Sequence, residues 1–264
     1  MFPLTTPFPT PTDVASFALV LGRMAGILSS IPLFGGRRAP MNIKALAVFA
    51  MTIVCFPLIK TKMPQLPDDM LSLGILVIRE TLVGICLGLL SLIVFAAVEF
   101  CGQIVGMQIG LSIVSEFDPS QGGQLSITSI FQEMLATLLF LSLNVHHLFI
   151  GAIVDSYTVL PAGAWHMSGG LLTFFVATIG NVFVLAVKLA APVMVALLAT
   201  SVVLGIMARS FPQMNVFIVS MPLNIGIGFL ILGISLRIFL HTLQGAFGGF
   251  AGQIKTLLQL MGSG

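Results

Sequence analysis

Seven charged residues sit inside or at the edge of long apolar runs: Arg23, Arg79, Glu80, Glu99, Glu133, Lys188 and Arg237. At the centre of a membrane helix each costs about 2.5–3.5 kcal/mol. Arg79 and Glu80 are sequence neighbours, so on a helix they point about 100° apart and cannot simply pair with each other. Each therefore needs a partner elsewhere. One chemistry is a proton or ion path, with Glu99 or Glu133 as the carboxylate of a proton-coupled secondary transporter. The other is pairing between helices or between subunits. Four cations against three anions nearly balance, which favours pairing.

Nucleophile and metal chemistry finds little support. The histidines are His146, His147, His166 and His241, and no HExxH occurs. The serine nearest a histidine, in His166-Met167-Ser168-Gly169, lacks the GxSxG elbow, and no GxxxxGK[ST] phosphate loop is present. Cys55, Cys86 and Cys101 form no CxxC and read as small buried hydrophobes. The expectation is a protein with no catalytic, cofactor or metal site, and not an enzyme.

The elements that must hold these charges are apolar. Of 264 residues, 57% are hydrophobic and 8% charged, and mean hydropathy is +1.11. A soluble domain is about a quarter charged. So little polar surface cannot coat a water-soluble monomer. A net charge of +2 supplies no basic stripe for nucleic acid. Six apolar stretches run over 14–34, 42–59, 70–98, 127–151, 171–206 and 216–240. Backbone groups in lipid must pair within their own segment, so these are helices. The fold class is all-α, an integral membrane protein of helical hairpins.

Two stretches are too long for one crossing. The one at 171–206 would make about 54 Å of helix, against a hydrocarbon core about 30 Å thick. Helices of this length suit a protein covered largely by partners. Basic residues in the loops at 35–44 and 207–215 against those at 60–69 lean weakly toward both termini outside. Four prolines within MFPLTTPFPTPT forbid a helix at the start, and Thr12 or Asp13 is expected to cap the first one. A change of composition at 161–170 marks a joint between a larger first part and a two-helix hairpin with a tail.

Glycines recur at helical spacing: Gly22 with Gly26, Gly84 with Gly88, Gly102 with Gly106 and Gly110, Gly245 with Gly249 and Gly248 with Gly252. This spacing lets helix backbones approach closely, within the chain or onto other subunits. The stretch 107–126 opens with Met107, Ile109, Leu111 and Ile113, and continues through Glu116, Phe117, Asp118, Pro119 and two glycines. It is either an ordinary connection or a loop that lines or blocks a pore, since irregular backbone at membrane depth must be buried in protein or face a cavity.

Three runs together resemble the FliR family of flagellar type III secretion export-gate proteins, which is related to the SctT proteins of virulence injectisomes. They are FDPSQGG, LLFLSLNVHHLFIGAIVDSYTVLPAG at 138–163, and APVMVALLATSVVLGIMARSFPQMNVFIVSMPLNIGIGF at 191–229. The likeness extends through RMAGILSSIPLFGGRRAPMNIKALAVFA and EFCGQIVGMQIGLS and covers nearly the whole chain.

The resemblance implies a single-copy subunit of a helical export gate in the bacterial inner membrane, within the flagellar basal body. Unfolded flagellar proteins cross through that gate. It implies a FliP-like part over 1–165 and a FliQ-like hairpin with a tail over 166–264. Implied partners are several copies of FliP and FliQ, then FlhB, FlhA and rod or MS-ring components. Residues 107–123 would form the pore loop, with Met107, Ile109, Leu111, Ile113, Phe117, Asp118 and Pro119 as plug candidates. Ile113 and Glu116 stand where bulky apolar or aromatic residues are expected, which leaves the plugging residue open. The hairpin tip, with Arg209, Pro212, Gln213 and Asn215, would face the cytoplasm and FlhB. Gly102, Gly106 and Gly110 would pack helices, and Arg79, Glu80, Glu99, Glu133 and Lys188 are the intramembrane charges. The assembled gate would sit largely above the bilayer plane. Injectisome use is the alternative within the family.

Overall fold

The computed structural model describes residues 11–31, 40–64, 66–67, 69–111, 126–166, 168–211, 213 and 215–262. These are helices and short connections, with no strand among the described residues. In order they are α1 (Pro11–Ser30), α2 (Met41–Lys60), α3 (Met70–Ile109), α4 (Ile127–Ser142), α5 (Val145–Val159), α6 (Gly169–Ser210), α7 (Val216–Gly248) and α8 (Phe250–Gly262). Five helices are long and apolar enough to cross a membrane, and α4 with α5 makes a sixth if that bent pair counts as one span. The expected all-α membrane fold is what the chain forms.

The boundaries differ from the sequence reading in four places, each with a local cause. Helix α1 begins at Pro11, so Thr12 and Asp13 lie in its first turn instead of capping it. Proline fits the first turn because its missing N–H is not needed there. Helix α3 runs on to Ile109, well past 98, making 40 residues or about 60 Å. It ends in a Schellman motif: Gly110 takes φ +93°, Leu111 N–H donates to the Gly106 carbonyl at 3.0 Å, and Gly110 N–H to that of Met107 at 3.1 Å. Met107 and Ile109 are therefore helical. The stretch expected at 127–151 breaks at Leu143–Asn144, where Asn144 takes φ +54° and α4 and α5 bend by 60°. Helix α6 reaches 42 residues and α7 reaches 33.

The chain packs as two compact units. One comprises Met1–Leu92, Asn144–Val176 and Gly249–Gly264; the other comprises Ile93–Leu143 and Ala177–Gly248. In the first unit the glycine pairs of α1 and α3 interlock. A Cβ on Gly26 would lie 2.7 Å from the Ile85 nitrogen, and one on Gly88 would lie 2.9 Å from the Ile27 carbonyl oxygen. Leu19, Met24, Ile27, Leu87 and Leu90 are fully buried around this crossing. Helix α8 buries Phe250, Ile254, Leu257, Leu258 and Met261 on one helical face, with Phe250 edge-on to Phe149 of α5 at 5.4 Å. Two of its last carbonyls are satisfied by the 166–168 connection: Met261 by the His166 N–H and Leu260 by the Ser168 hydroxyl. In the second unit Phe95, Phe140 and Phe247 stack around one another at 5.6–5.9 Å.

Candidate functional site

Within the first unit the charges of Arg23 and Glu80 meet. Both are shielded from solvent, at 0% and 1% exposure, and Arg23 Nε and Nη2 each lie 2.6 Å from Glu80 Oε2. Arg23 Nη1 donates to Ser156 Oγ at 2.7 Å, and its guanidinium carbon sits 3.8 Å over the Tyr157 ring. The other carboxylate oxygen, Glu80 Oε1, accepts the N–H of Gly163 at 3.0 Å. Gly163 holds φ +82°, which presents that N–H without a side-chain clash in its own backbone. The node ties α1, α3, α5 and the joint after α5 into one network. Its atoms are satisfied on all sides, which suits structural pairing better than a proton relay.

The sequence put both charges at membrane depth but could not join them across 57 residues. It did not single out Ser156, Tyr157 or Gly163. Tyr157 is the only tyrosine in the chain, and that rarity was the available signal. Arg79, the neighbour of Glu80, points away and is exposed, without a partner among the described residues.

In the second unit the predicted packing glycines meet the start of α4. A Cβ on Gly102 would come within 2.7 Å of the Ser129 nitrogen, and one on Gly106 within 2.7 Å of Thr128 Oγ1. Thr128 Oγ1 donates to the Gly102 carbonyl at 2.7 Å, and Ser129 Oγ to that of Glu99 at 3.2 Å. The Ser126 hydroxyl hydrogen-bonds Thr128 Oγ1 at 2.6 Å. The chain thus leaves α3 at Gly110–Leu111 and returns at Ser126 beside the glycine face of the same helix. Ile109 is buried against α7, where a Cβ on Gly228 would lie 2.5 Å from its Cγ1. Met107 is 58% exposed and Leu111 half-buried. Ile113, Phe117, Asp118 and Pro119 lie outside the described residues.

The remaining candidates are dispersed. Glu99 is half-buried and accepts from Gln103 Nε2 at 3.3 Å; Glu133 is half-buried on α4; Lys188 and Arg237 are exposed on α6 and α7. At the hairpin tip Arg209, Gln213 and Asn215 are exposed, and the Asn215 carbonyl accepts the Ile218 N–H at 3.2 Å. Pro212 lies outside the described residues. No three His, Cys, Asp or Glu side chains come together as a metal site among the described residues. A groove of about 600 Å³ between α1 and α2 is walled by side chains such as Leu21, Leu28, Val48 and Phe49, with Ser29 and Lys44 its polar members. It lacks the converging polar groups that orient a substrate.

Long apolar helices, a buried ion pair and a glycine-clamped stem where α3 meets α4 define a protein of the polytopic membrane class. Residues 14–250 match bacterial export proteins, family 1. The chain is 33% identical over 250 residues to flagellar biosynthetic protein FliR of Bacillus subtilis (strain 168), covering 94% of this chain and 96% of that one. It is 31% identical over 229 residues to FliR of Caulobacter vibrioides, with 87% and 91% covered, and 28% identical over 206 residues to FliR of Escherichia coli (strain K12), with 78% of each covered. The chain belongs to the FliR family of bacterial export proteins.

Proposed function

We propose that the chain is a flagellar biosynthetic protein acting as one subunit of the type III export gate. It would lie in the bacterial inner membrane beside FliP and FliQ, with unfolded flagellar proteins as cargo and FlhB at the hairpin tip. The observation that carries this reading is α6. Its 42 residues span about 63 Å, twice the hydrocarbon core, and large apolar side chains are exposed from Leu172 to Met207. Lipid cannot cover such a helix over its whole length, whereas apolar helices of neighbouring subunits can. The division into a FliP-like part over 1–165 and a FliQ-like hairpin with a tail over 166–264 belongs to the same proposal. The energy for transport would come from other components, so the subunit needs no active site of its own.

The stretch 107–123 serves in this reading as a gate element. Its stem is fixed by Gly106 on α3, by the turn at Gly110 that ends that helix and by Ser126 at the return, while methionine and aliphatic side chains would supply soft, adaptable contacts. Deleting 110–120 in the assembled complex should open a leak to ions or small molecules in reconstituted vesicles. A complex that stays sealed would remove the gate role. At the tip, Arg209→Ala should weaken FlhB association and lower export; unchanged association and export would reassign that contact.

A further inference from the structure

In the second unit α4 meets α6 and α7 around a small cavity. Val193 of α6 and Leu232, Leu236 and Phe239 of α7 are among its apolar walls, and its polar members are Gln132 of α4 and Ser235 of α7. Leu232, Ser235, Leu236 and Phe239 follow the spacing of one helical face, so α7 turns that face to α4. The three helices leave about 10 Å³ in which the centre of a water-sized sphere can lie. That is enough for a single water molecule.

Gln132 is 4% exposed and Ser235 8%. The Gln132 amide hydrogen-bonds the Cys101 sulfur of α3. Its oxygen, Oε1, is buried and meets no donor among the described residues. With the nitrogen end committed to Cys101, Oε1 is the end left for the cavity. The Ser235 hydroxyl donates to the Leu232 carbonyl at 3.2 Å, which leaves its oxygen free to accept. Two acceptors therefore face one apolar space. They cannot bond each other, and a buried acceptor without a donor is costly. Water brings two O–H donors and fits the volume. A bare cation would find only two neutral oxygens there, too few to offset its lost hydration.

We propose that this cavity is a binding site for one structural water, which donates to Gln132 Oε1 and to Ser235 Oγ. The water completes a polar crossbar that runs from Cys101 on α3, through Gln132 on α4, to Ser235 on α7. On one side α4 is already tied to α3, where Thr128 and Ser129 donate to the Gly102 and Glu99 carbonyls. The water supplies a directional tie on the other side, where the remaining contacts are apolar and non-directional. All of these residues belong to one compact unit, and the site does not depend on the gate reading.

The direct test is a cryo-EM map of the assembled complex in lipid nanodiscs, at a resolution that shows ordered water. The expected result is one peak within hydrogen-bond distance of both Gln132 Oε1 and Ser235 Oγ. An unfilled cavity, or a neighbouring subunit's side chain in that place, overturns the proposal. A second measurement reads what the water does for stability. Ser235→Val fills the cavity, so it should lower the apparent Tm of the complex by several degrees while Gln132 is present. In a Gln132→Met background the same change should leave Tm in place, because no buried acceptor then depends on the water. Equal losses in the two backgrounds would mean simple overpacking. No loss in either would mean that Gln132 has no need of the site. Both outcomes contradict the proposal.

Discussion

Replacing Arg23 with Met leaves Glu80 charged, buried and stripped of its counter-ion. The carboxylate keeps the N–H of Gly163, but loses two N–H donors at 2.6 Å, and Ser156 loses the donor at 2.7 Å. Removing one partner of a buried pair costs about 3–5 kcal/mol. For a chain of this size that amounts to about 6–20 °C in apparent Tm. Glu80→Gln should fall within or just below this range, because the amide still accepts from Gly163 but cannot balance the guanidinium. The double replacement Arg23→Met/Glu80→Leu behaves differently. Exchanging a whole buried pair for apolar groups is neutral or stabilising by about 1–4 kcal/mol. Here that gain is offset by about 1–3 kcal/mol for the orphaned Gly163 N–H. The double variant should therefore sit close to wild type while each single falls well below it. Size-exclusion of the heated complex, read by fluorescence, compares wild type with the three variants. Single variants with wild-type Tm, or a double variant as unstable as Arg23→Met, would refute the assignment of this node as a mutually satisfied structural pair.

Two further outcomes follow from other contacts. Gly84→Ala places a methyl group against the Arg23 carbonyl and 3.1 Å from its Cα, so α1 and α3 must separate; a loss of about 1–3 kcal/mol is expected, while the same change at open Gly74 should cost nothing measurable in a thermal-stability comparison. Asp69 caps α3 by accepting the Ser72 N–H at 3.1 Å and the Ser72 hydroxyl at 3.0 Å, and those bonds hold its carboxyl below the ordinary value of 3.8. A depressed pKa means the cap is in place at neutral pH and fades only as acid approaches that range, so protection of the amides at 70–73, corrected for the intrinsic pH dependence of exchange, should fall below about pH 4 and should already be low at neutral pH in Asp69→Ala.

The helices were legible because their apolar runs exceed anything a soluble fold requires. Where they stop was less so. The shared spacing of Gly102, Gly106 and Gly110 made all three look like packing positions, yet Thr128 and Ser129 seat closely on the first two while the positive φ of Gly110 ends α3. The break at Asn144 rests on one left-handed backbone angle that no apolar pattern announces. Glu80 was visible as a charge needing a partner; the partner, Arg23, lies on another helix and is fixed only by how the two glycine pairs cross. Gly22, Gly26, Gly84 and Gly88 turn out to serve contacts within the chain, whereas Gly245, Gly248 and Gly252 face open space. Spacing alone made these two groups look alike.

The central claim is that neighbouring proteins, more than lipid, clothe these helices. Native mass spectrometry of the chain co-expressed with FliP and FliQ, compared with the chain expressed alone, tests it most directly. The account predicts that the chain is recovered as one copy in a larger assembly containing both, and that alone it is unstable or aggregated. A stable, monodisperse and transport-competent single chain in detergent would contradict it.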